Sequence, residues 1–347
     1  MIPVLILAPF AAGEESRSGD CGSHDTMSEK KEGIPLKHVL FLMKATEAEQ
    51  QKLRQLKEYE FTFADSHAAD PAALEQAEVI VGWPSAEEIA SAPHLEWLQT
   101  PSAGIERYLG LPEKVMLSNA YGVYGPFIAE YMVSCVMLCA KQWPQYLKAQ
   151  QSHQWTEGAP LRYIRGMKVL SVGMGSLGSE FLRRMHALGA ECHGIRRTVH
   201  DCPDYVDSLH TMDSLDELLP QMDAVALSLP ETPETIGLMS GRRLSLMRDD
   251  SILINVGRGT AVDTDALTRL AAAGKFLGVC LDVTSPEPLP KNHPLWTMPQ
   301  VHITPHISGR FNAPGIHEAL VEMIFQNLQL VSQGQKPIHL VDHRLGY

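Results

Sequence analysis

A chain of 347 residues is long enough for two domains with cores of their own. Its 41 acidic against 29 basic residues give a formal charge of −12, which argues against nucleic acid or anionic membranes as general partners and leaves any small anionic substrate to be held by local positive groups. The cysteines, Cys21, Cys135, Cys139, Cys192, Cys202 and Cys280, form no C-x-x-C pair and no metal-ligand spacing, so no metal is expected and they read as reduced thiols of a cytoplasmic protein; no apolar run has the length of a membrane span.

Residues 2–12 are apolar but lack the basic flank and the length of a signal peptide, and 13–34 are polar, so 1–34 read as a disordered leader, with Met27 as an alternative start. From 38–43 onward, apolar strands alternate with helical patterns. A strand at 38–43 precedes a helix at 46–59, a strand at 61–63, a helix near Pro71–Gln76, a strand at Val79–Gly82, a helix near 85–91 and a strand at 95–99. Such alternation implies a parallel sheet covered on both faces. Residues 35–125 carry no glycine fingerprint and read as the substrate side. A long helix over 129–146 leads into the second unit, 126–314. Its helices are expected at 215–219 and 264–273, and its strands at 224–229, 251–256, Gly278–Leu281 and 301–304. A last helix, 313–333, crosses back, so 315–347 completes the first unit. The fold class is therefore α/β, two doubly wound parallel-sheet domains with a cleft between them.

The second unit opens on a fingerprint. After the apolar run Met167-Lys168-Val169-Leu170-Ser171-Val172 comes Gly173-Met174-Gly175-Ser176-Leu177-Gly178, then an amphipathic stretch through Phe181, Leu182, Met185 and Leu188, a stop at Gly189 and a second strand at Glu191–Ile195. Gly173 permits the tight turn, Gly175 lets backbone approach a pyrophosphate, and Gly178 lets the helix pack on the sheet, so phosphates meet free N–H groups at a helix N-terminus. This is a dinucleotide seat. Where the second strand ends, a carboxylate would accept from the ribose 2′-OH, whereas Arg196, followed by Arg197 and Thr198, suits a 2′-phosphate. NADP(H) is thus favoured over NAD(H), which stays possible, the alternative being that the arginines form a solvated basic turn.

Three polar residues follow strands of this unit: Arg258 after 252–257, Glu287 in Asp282-Val283-Thr284-Ser285-Pro286-Glu287-Pro288-Leu289-Pro290, and His306 in Thr304-Pro305-His306-Ile307-Ser308-Gly309. The carboxyl edge of such a sheet is where ligands bind. Reducing a ketone with a nicotinamide requires a proton donor and a cation that binds the acid group or polarises the carbonyl. Histidine suits the first task, with a carboxylate to hold its ring, and arginine the second. Taken singly, Arg258 also fits a loop tie, Glu287 a solvated acid and His306 a core histidine; as a set on successive strand ends they fit catalysis.

These segments, with Thr232-Pro233-Glu234-Thr235 and the closing Val341-Asp342-x-x-x-Gly346-Tyr347, resemble the D-isomer-specific 2-hydroxyacid dehydrogenases from about residue 38 to the C-terminus. Arg196-Arg197-Thr198 and His293-Pro294-Leu295-Trp296 most resemble the NADPH-preferring glyoxylate/hydroxypyruvate reductases. The resemblance implies a flavodoxin-like substrate domain, a Rossmann cofactor domain and reduction of small 2-keto acids to (R)-2-hydroxy acids, with His306 as proton donor, Glu287 orienting it and Arg258 holding the keto-acid. It implies cofactor contacts from Gly173, Gly175, Ser176, Leu177, Gly178, Arg196, Arg197, Thr198, Leu229, Pro230, Thr235, Val256, Gly257, Arg258, Asp282 and His306. Asp282 is matched to the nicotinamide carboxamide. Ala103 and Gly104, in Ser102-Ala103-Gly104-Ile105-Glu106, are matched to the amide loop that binds the substrate carboxylate, an uncharged nest able to do so. Trp83-Pro84 and residues 121–126 are expected near the cleft, where core or hinge packing is the alternative. Thr284 stands where the family usually has an aromatic, which leaves the pocket shape open. A homodimer through the cofactor domain is the family habit. The rival reading is a cofactor-sensing scaffold or corepressor-like protein on the same fold.

Overall fold

The computed structural model describes residues 36–65, 69–199, 201–310, 313 and 315–342. The expected leader lies outside these residues, as do Gly346 and Tyr347 of the closing motif. The first half runs β1 (Lys37–Leu42), α1 (Glu47–Leu53), β2 (Tyr59–Phe63), α2 (Pro71–Gln76), β3 (Val79–Gly82), α3 (Ala86–Ala90), β4 (Trp97–Gln99), β5 (Met116–Ser118), α4 (Gly125–Ala140) and α5 (Trp143–Gln151). Then follow β6 (Lys168–Val172), α6 (Ser176–Ala187), β7 (Glu191–Ile195), β8 (Ser208–His210), α7 (Leu215–Leu218), β9 (Ala224–Leu227) and α8 (Gly241–Leu246). β10 (Ile252–Asn255), α9 (Thr264–Ala272), β11 (Gly278–Leu281), β12 (Val301–Ile303) and α10 (Ile316–Ser332) complete the order.

Two parallel sheets result, one of five strands in the order β2-β1-β3-β4-β5 and one of seven in the order β12-β11-β10-β9-β6-β7-β8. Strands β3, β4, β9, β10 and β11 are buried along their whole length, which is why they read as unbroken apolar runs rather than alternating ones. The strand order of the second sheet reverses at β6, which pairs with β7 on one side and β9 on the other. Ligands of such sheets bind outside the carboxyl ends at that reversal.

Helices begin where the sequence caps them. Thr46 and Glu49 close a capping box on α1, Ser85 and Glu88 another on α3, and Asp70 caps α2 ahead of Pro71. The helix expected over 46–59 stops at Leu53, because the aromatic run from Tyr59 joins the sheet beside β1 and the Tyr59 hydroxyl donates to the Leu328 carbonyl. The single helix expected over 129–146 is two helices. Pro144 removes the amide that would bond Ala140, and the chain turns at Gln142, whose φ is 54°. Strands β5 and β8 and helix α8 are additions to the sequence reading; each is short, and β8 is only half-buried.

Helix α10 lies against the five-stranded sheet. Its buried Asn327 donates to Gln99 Oε1 at 2.7 Å and accepts from the Ile338 amide at 2.8 Å. Gln99 in turn accepts from Ser118 Oγ, which itself accepts from the Trp97 indole at 2.8 Å, so each of these buried polar groups is paired. On the other side, α4 and α6 pack through Met132, Val136, Phe181 and Met185, members of one apolar cluster.

Candidate active site

The glycine turn is set by its surroundings. Gly173 has φ +103°, and a Cβ there would stand 2.8 Å from the Ser228 carbonyl oxygen. A Cβ on Gly178 would stand 1.9 Å from the Gly173 carbonyl oxygen, so any side chain would force α6 off the turn. Gly175 precedes α6 in extended conformation and, as its N-cap, offers no side chain to the first helical N–H groups. The Ser176 amide donates to the Tyr121 hydroxyl at 2.9 Å, and the buried Ser176 Oγ has no partner among the described residues. Open donors, an orphaned hydroxyl and a turn that admits no Cβ fit a dinucleotide phosphate. Arg196 is half-buried at the end of β7, where its amide donates to the His210 carbonyl, and Arg197 and Thr198 beside it are exposed. Leu229 and Pro230 follow β9, and Thr235 Oγ1 donates to the Pro230 carbonyl at 2.7 Å, closing that loop.

Arg258 stands on a turn built by buried Asn255. Asn255 accepts from the Gly257 amide at 3.1 Å and donates to the Arg258 carbonyl at 2.9 Å, while Val256 is buried beside it. The guanidinium reaches across to the loop of the other sheet. Its Nε donates to Glu106 Oε1 at 2.7 Å, and its Nη2 stands 2.0 Å from where a Cβ on Gly104 would be. A side chain there would displace the tips of Arg258 and Glu106. Within that loop Ser102 Oγ donates to the Gly104 carbonyl and Asn119 Nδ2 to the Ala103 carbonyl, while the amides of Ala103 and Gly104 have no partner among the described residues. Burial raises the Glu106 carboxyl, but the hydrogen bond and charge of Arg258 outweigh it and hold the group below its usual range.

His306 Nδ1 lies 2.8 Å from Glu287 Oε1, with both side chains about half exposed. The loop holding His306 is fixed from beneath. His306 takes φ 52°, its amide donating to the Asp282 carbonyl at 2.9 Å. The Asp282 carboxylate, 1% exposed, accepts from Thr304 Oγ1 at 2.6 Å and from the amides of Ile307 and Ser308 at 2.8 and 2.9 Å. The carboxylate that the resemblance matches to a cofactor carboxamide thus also holds the His306 loop. Thr304 Oγ1 meets the Tyr131 hydroxyl at 2.6 Å, and burial pushes the Tyr131 phenol up. Thr284, in the place of the family's aromatic, donates from its hydroxyl to Pro286, and its amide meets Glu287 at 3.5 Å.

Two partnerships therefore emerge, His306 with Glu287 and Arg258 with the 102–106 loop; no hydrogen bond or ion pair joins Arg258 to His306. Sequence reasoning passed over Glu106 and the Tyr121–Ser176 contact. An acid two residues past the amide loop was a usable signal for the first. Among the described residues no cluster of His, Cys, Asp or Glu could hold a metal, and no helix is long and apolar enough to cross a membrane.

Residues 133–308 match the family model described as D-isomer specific 2-hydroxyacid dehydrogenase, NAD binding domain. The chain belongs to the D-isomer specific 2-hydroxyacid dehydrogenase family. Among its relatives, a glyoxylate reductase of Thermofilum pendens is 29% identical over 269 residues, covering 74% of this chain and 78% of the relative. A glyoxylate/hydroxypyruvate reductase A of Photorhabdus laumondii is 28% identical over 308 residues, covering 86% and 94%. The crystal structure of a family member from Xanthobacter autotrophicus in complex with NADPH and MES superposes with a TM-score of 0.78 at 26% identity, covering 90% of this chain and all of that one. The Rossmann dehydrogenase fold expected from the sequence is thus the fold of this family.

Proposed function

We propose that the chain is an NADPH-dependent reductase of small 2-keto acids, glyoxylate- or hydroxypyruvate-like, that yields (R)-2-hydroxy acids. The observation that carries this reading is the His306–Glu287 pair at 2.8 Å, on the same sheet edge as an arginine that reaches Glu106 and Gly104 in the 102–106 loop. In the proposed arrangement 35–125, completed by 315–347, is the substrate domain and 126–314 the cofactor domain. Gly173, Gly175, Ser176, Leu177 and Gly178 would hold the pyrophosphate, Arg196, Arg197 and Thr198 the 2′-phosphate, and Leu229, Pro230, Thr235, Val256 and Gly257 the nicotinamide side. NADPH, when bound, supplies the hydride that the keto carbon takes up.

The chain's own residues do the rest. Arg258 and the 103–104 amides hold the substrate carboxylate and turn the keto group toward the sheet edge. His306 gives the proton from Nε2 to the keto oxygen as negative charge develops there, while Glu287 on Nδ1 fixes the ring and stabilises the imidazolium before transfer. Asp282 keeps the loop in place and would meet the nicotinamide carboxamide. Two relatives named as glyoxylate or glyoxylate/hydroxypyruvate reductases and a neighbour solved with NADPH support this choice of substrate and cofactor. A cytoplasmic homodimer completes the proposal.

The test is consumption of NADPH by the purified protein with glyoxylate or hydroxypyruvate. His306→Ala should lower turnover by roughly a hundredfold to ten-thousandfold, the span of general acid catalysis, with NADPH still bound. Tight NADPH binding without turnover across a keto-acid panel would instead favour the scaffold reading.

A further inference from the structure

Glu106 is a charge in the cleft that the proposed chemistry leaves without a task. Its Oε1 accepts from Arg258 Nε at 2.7 Å, and its Oε2 lies 2.8 Å from the Cβ position of Gly104, beside the seat that Arg258 shares. We propose that Glu106 is a specificity-determining residue that makes this seat select 2-keto acids carrying a single carboxylate. The inference rests on the keto-acid reading above.

The argument is one of charge. Arg258 and a protonated His306 bring two positive charges, and Glu106 and Glu287 bring two negative ones, so the two ion pairs cancel. One substrate carboxylate can still bind, because Arg258 keeps N–H groups that Glu106 does not use and the amides of Ala103 and Gly104, in the loop it reaches, have no partner among the described residues. A second carboxylate a few bonds away finds no unpaired cation in these pairs and stands near the carboxylate of Glu106. Arg107, next along the chain, adds its charge to that of Arg258 in holding the Glu106 carboxyl low. The hydrogen bond and charge of Arg258 offset the burial of Glu106 and keep it ionised at neutral pH, so the repulsion is present under working conditions.

The experiment compares kcat/KM for oxaloacetate and 2-oxobutyrate, which share chain length and differ in the second carboxylate, in wild type, Glu106→Gln and Glu106→Asp. Glutamine still offers an oxygen to Arg258 but carries no charge; aspartate keeps the charge. The wild type should prefer 2-oxobutyrate. In Glu106→Gln the ratio should move toward oxaloacetate by about tenfold, the scale of one like-charge contact in a half-exposed site, and in Glu106→Asp it should stay near wild type. A ratio that stays put in Glu106→Gln, or equal losses on both substrates, means that Glu106 only positions Arg258 and overturns the proposal. A wild type that turns over no 2-keto acid overturns the reductase reading and this inference with it, whereas turnover with an unmoved ratio overturns the inference alone.

Discussion

On the proposed cofactor side, at the edge of the seven-stranded sheet, the loop carrying His306 is fixed by Asp282, a carboxylate 1% exposed that accepts from Thr304, Ile307 and Ser308. On the proposed substrate side Arg258 is paired with Glu106, with side chains 28% and 39% exposed. The chemical task is alike, a carboxylate holding a functional loop or side chain, but the surroundings differ. A buried acceptor whose donors have no water to turn to is expensive to remove, whereas an exposed pair contributes at most about 1 kcal/mol and is weakened by salt. Proton transfer would thus sit on a stiff mount, and substrate choice on an adjustable one.

Removing the stiff mount should have the largest effect. Asp282→Ala leaves the Thr304 hydroxyl and the amides of Ile307 and Ser308 without their acceptor. We expect a loss of about 3 kcal/mol in denaturant-induced unfolding, together with reduced turnover, because unsatisfied buried donors cost about 1–3 kcal/mol each and part of that is recovered by relaxation. Stability within about 0.5 kcal/mol of wild type would show that the loop holds itself, and the contrast between the two sides would fall.

The same contrast explains what the sequence made legible. Gly173, Gly178, Arg258, Glu287 and His306 announce themselves because each lies within six residues of a strand end, and the strands are apolar runs that need no partner to be recognised. Glu287 and His306 are 19 positions apart, but consecutive strand ends of one parallel sheet bring them within 2.8 Å. Glu106 and Arg258 are 152 positions apart and belong to different sheets, so no local pattern joins them. The His306 loop hides its support in the same way. Asp282 lies in a motif whose family role points outward to a cofactor, while its carboxylate here faces a segment 22 to 26 residues downstream. β5 and β8, three residues each and bearing Ser118 or Ser208 and His210 among their few positions, show neither an apolar run nor a period. The break between α4 and α5 was readable from Pro144, which forbids the continuous helix drawn through it.

Cofactor choice tests whether the stiff side also governs recognition. Arg196 sits at the end of β7 with its backbone tied to His210, so the side chain is aimed by the sheet rather than by a loop. Arg196→Asp should weaken NADPH binding by roughly tenfold to a hundredfold, the worth of one or two charge-assisted hydrogen bonds, while NADH binding holds or improves. Fluorescence titration of both cofactors measures this directly. An unchanged preference would assign the 2′-phosphate to other groups, Arg197 and Thr198 first.

The smallest effect belongs to the adjustable side, and its pH dependence has a definite sign. The Glu106 carboxyl is held below its ordinary value of 4.5 in the folded chain, burial opposing and Arg258 prevailing. As pH falls, the unfolded chain takes up this proton first. The contribution of the pair is therefore present in full above about 4.5 and is lost as pH drops through the lower folded value. Exposure limits it to less than about 1 kcal/mol. The stability difference between wild type and Glu106→Gln should accordingly be small at neutral pH, vanish in acid and shrink at high salt, while the deficit of Asp282→Ala should be insensitive to salt because its cause is unpaired buried donors. A Glu106→Gln difference that survives acid and salt unchanged would mean that packing against Gly104, not charge, holds Arg258 in place, and the substrate side would then be as stiff as the cofactor side.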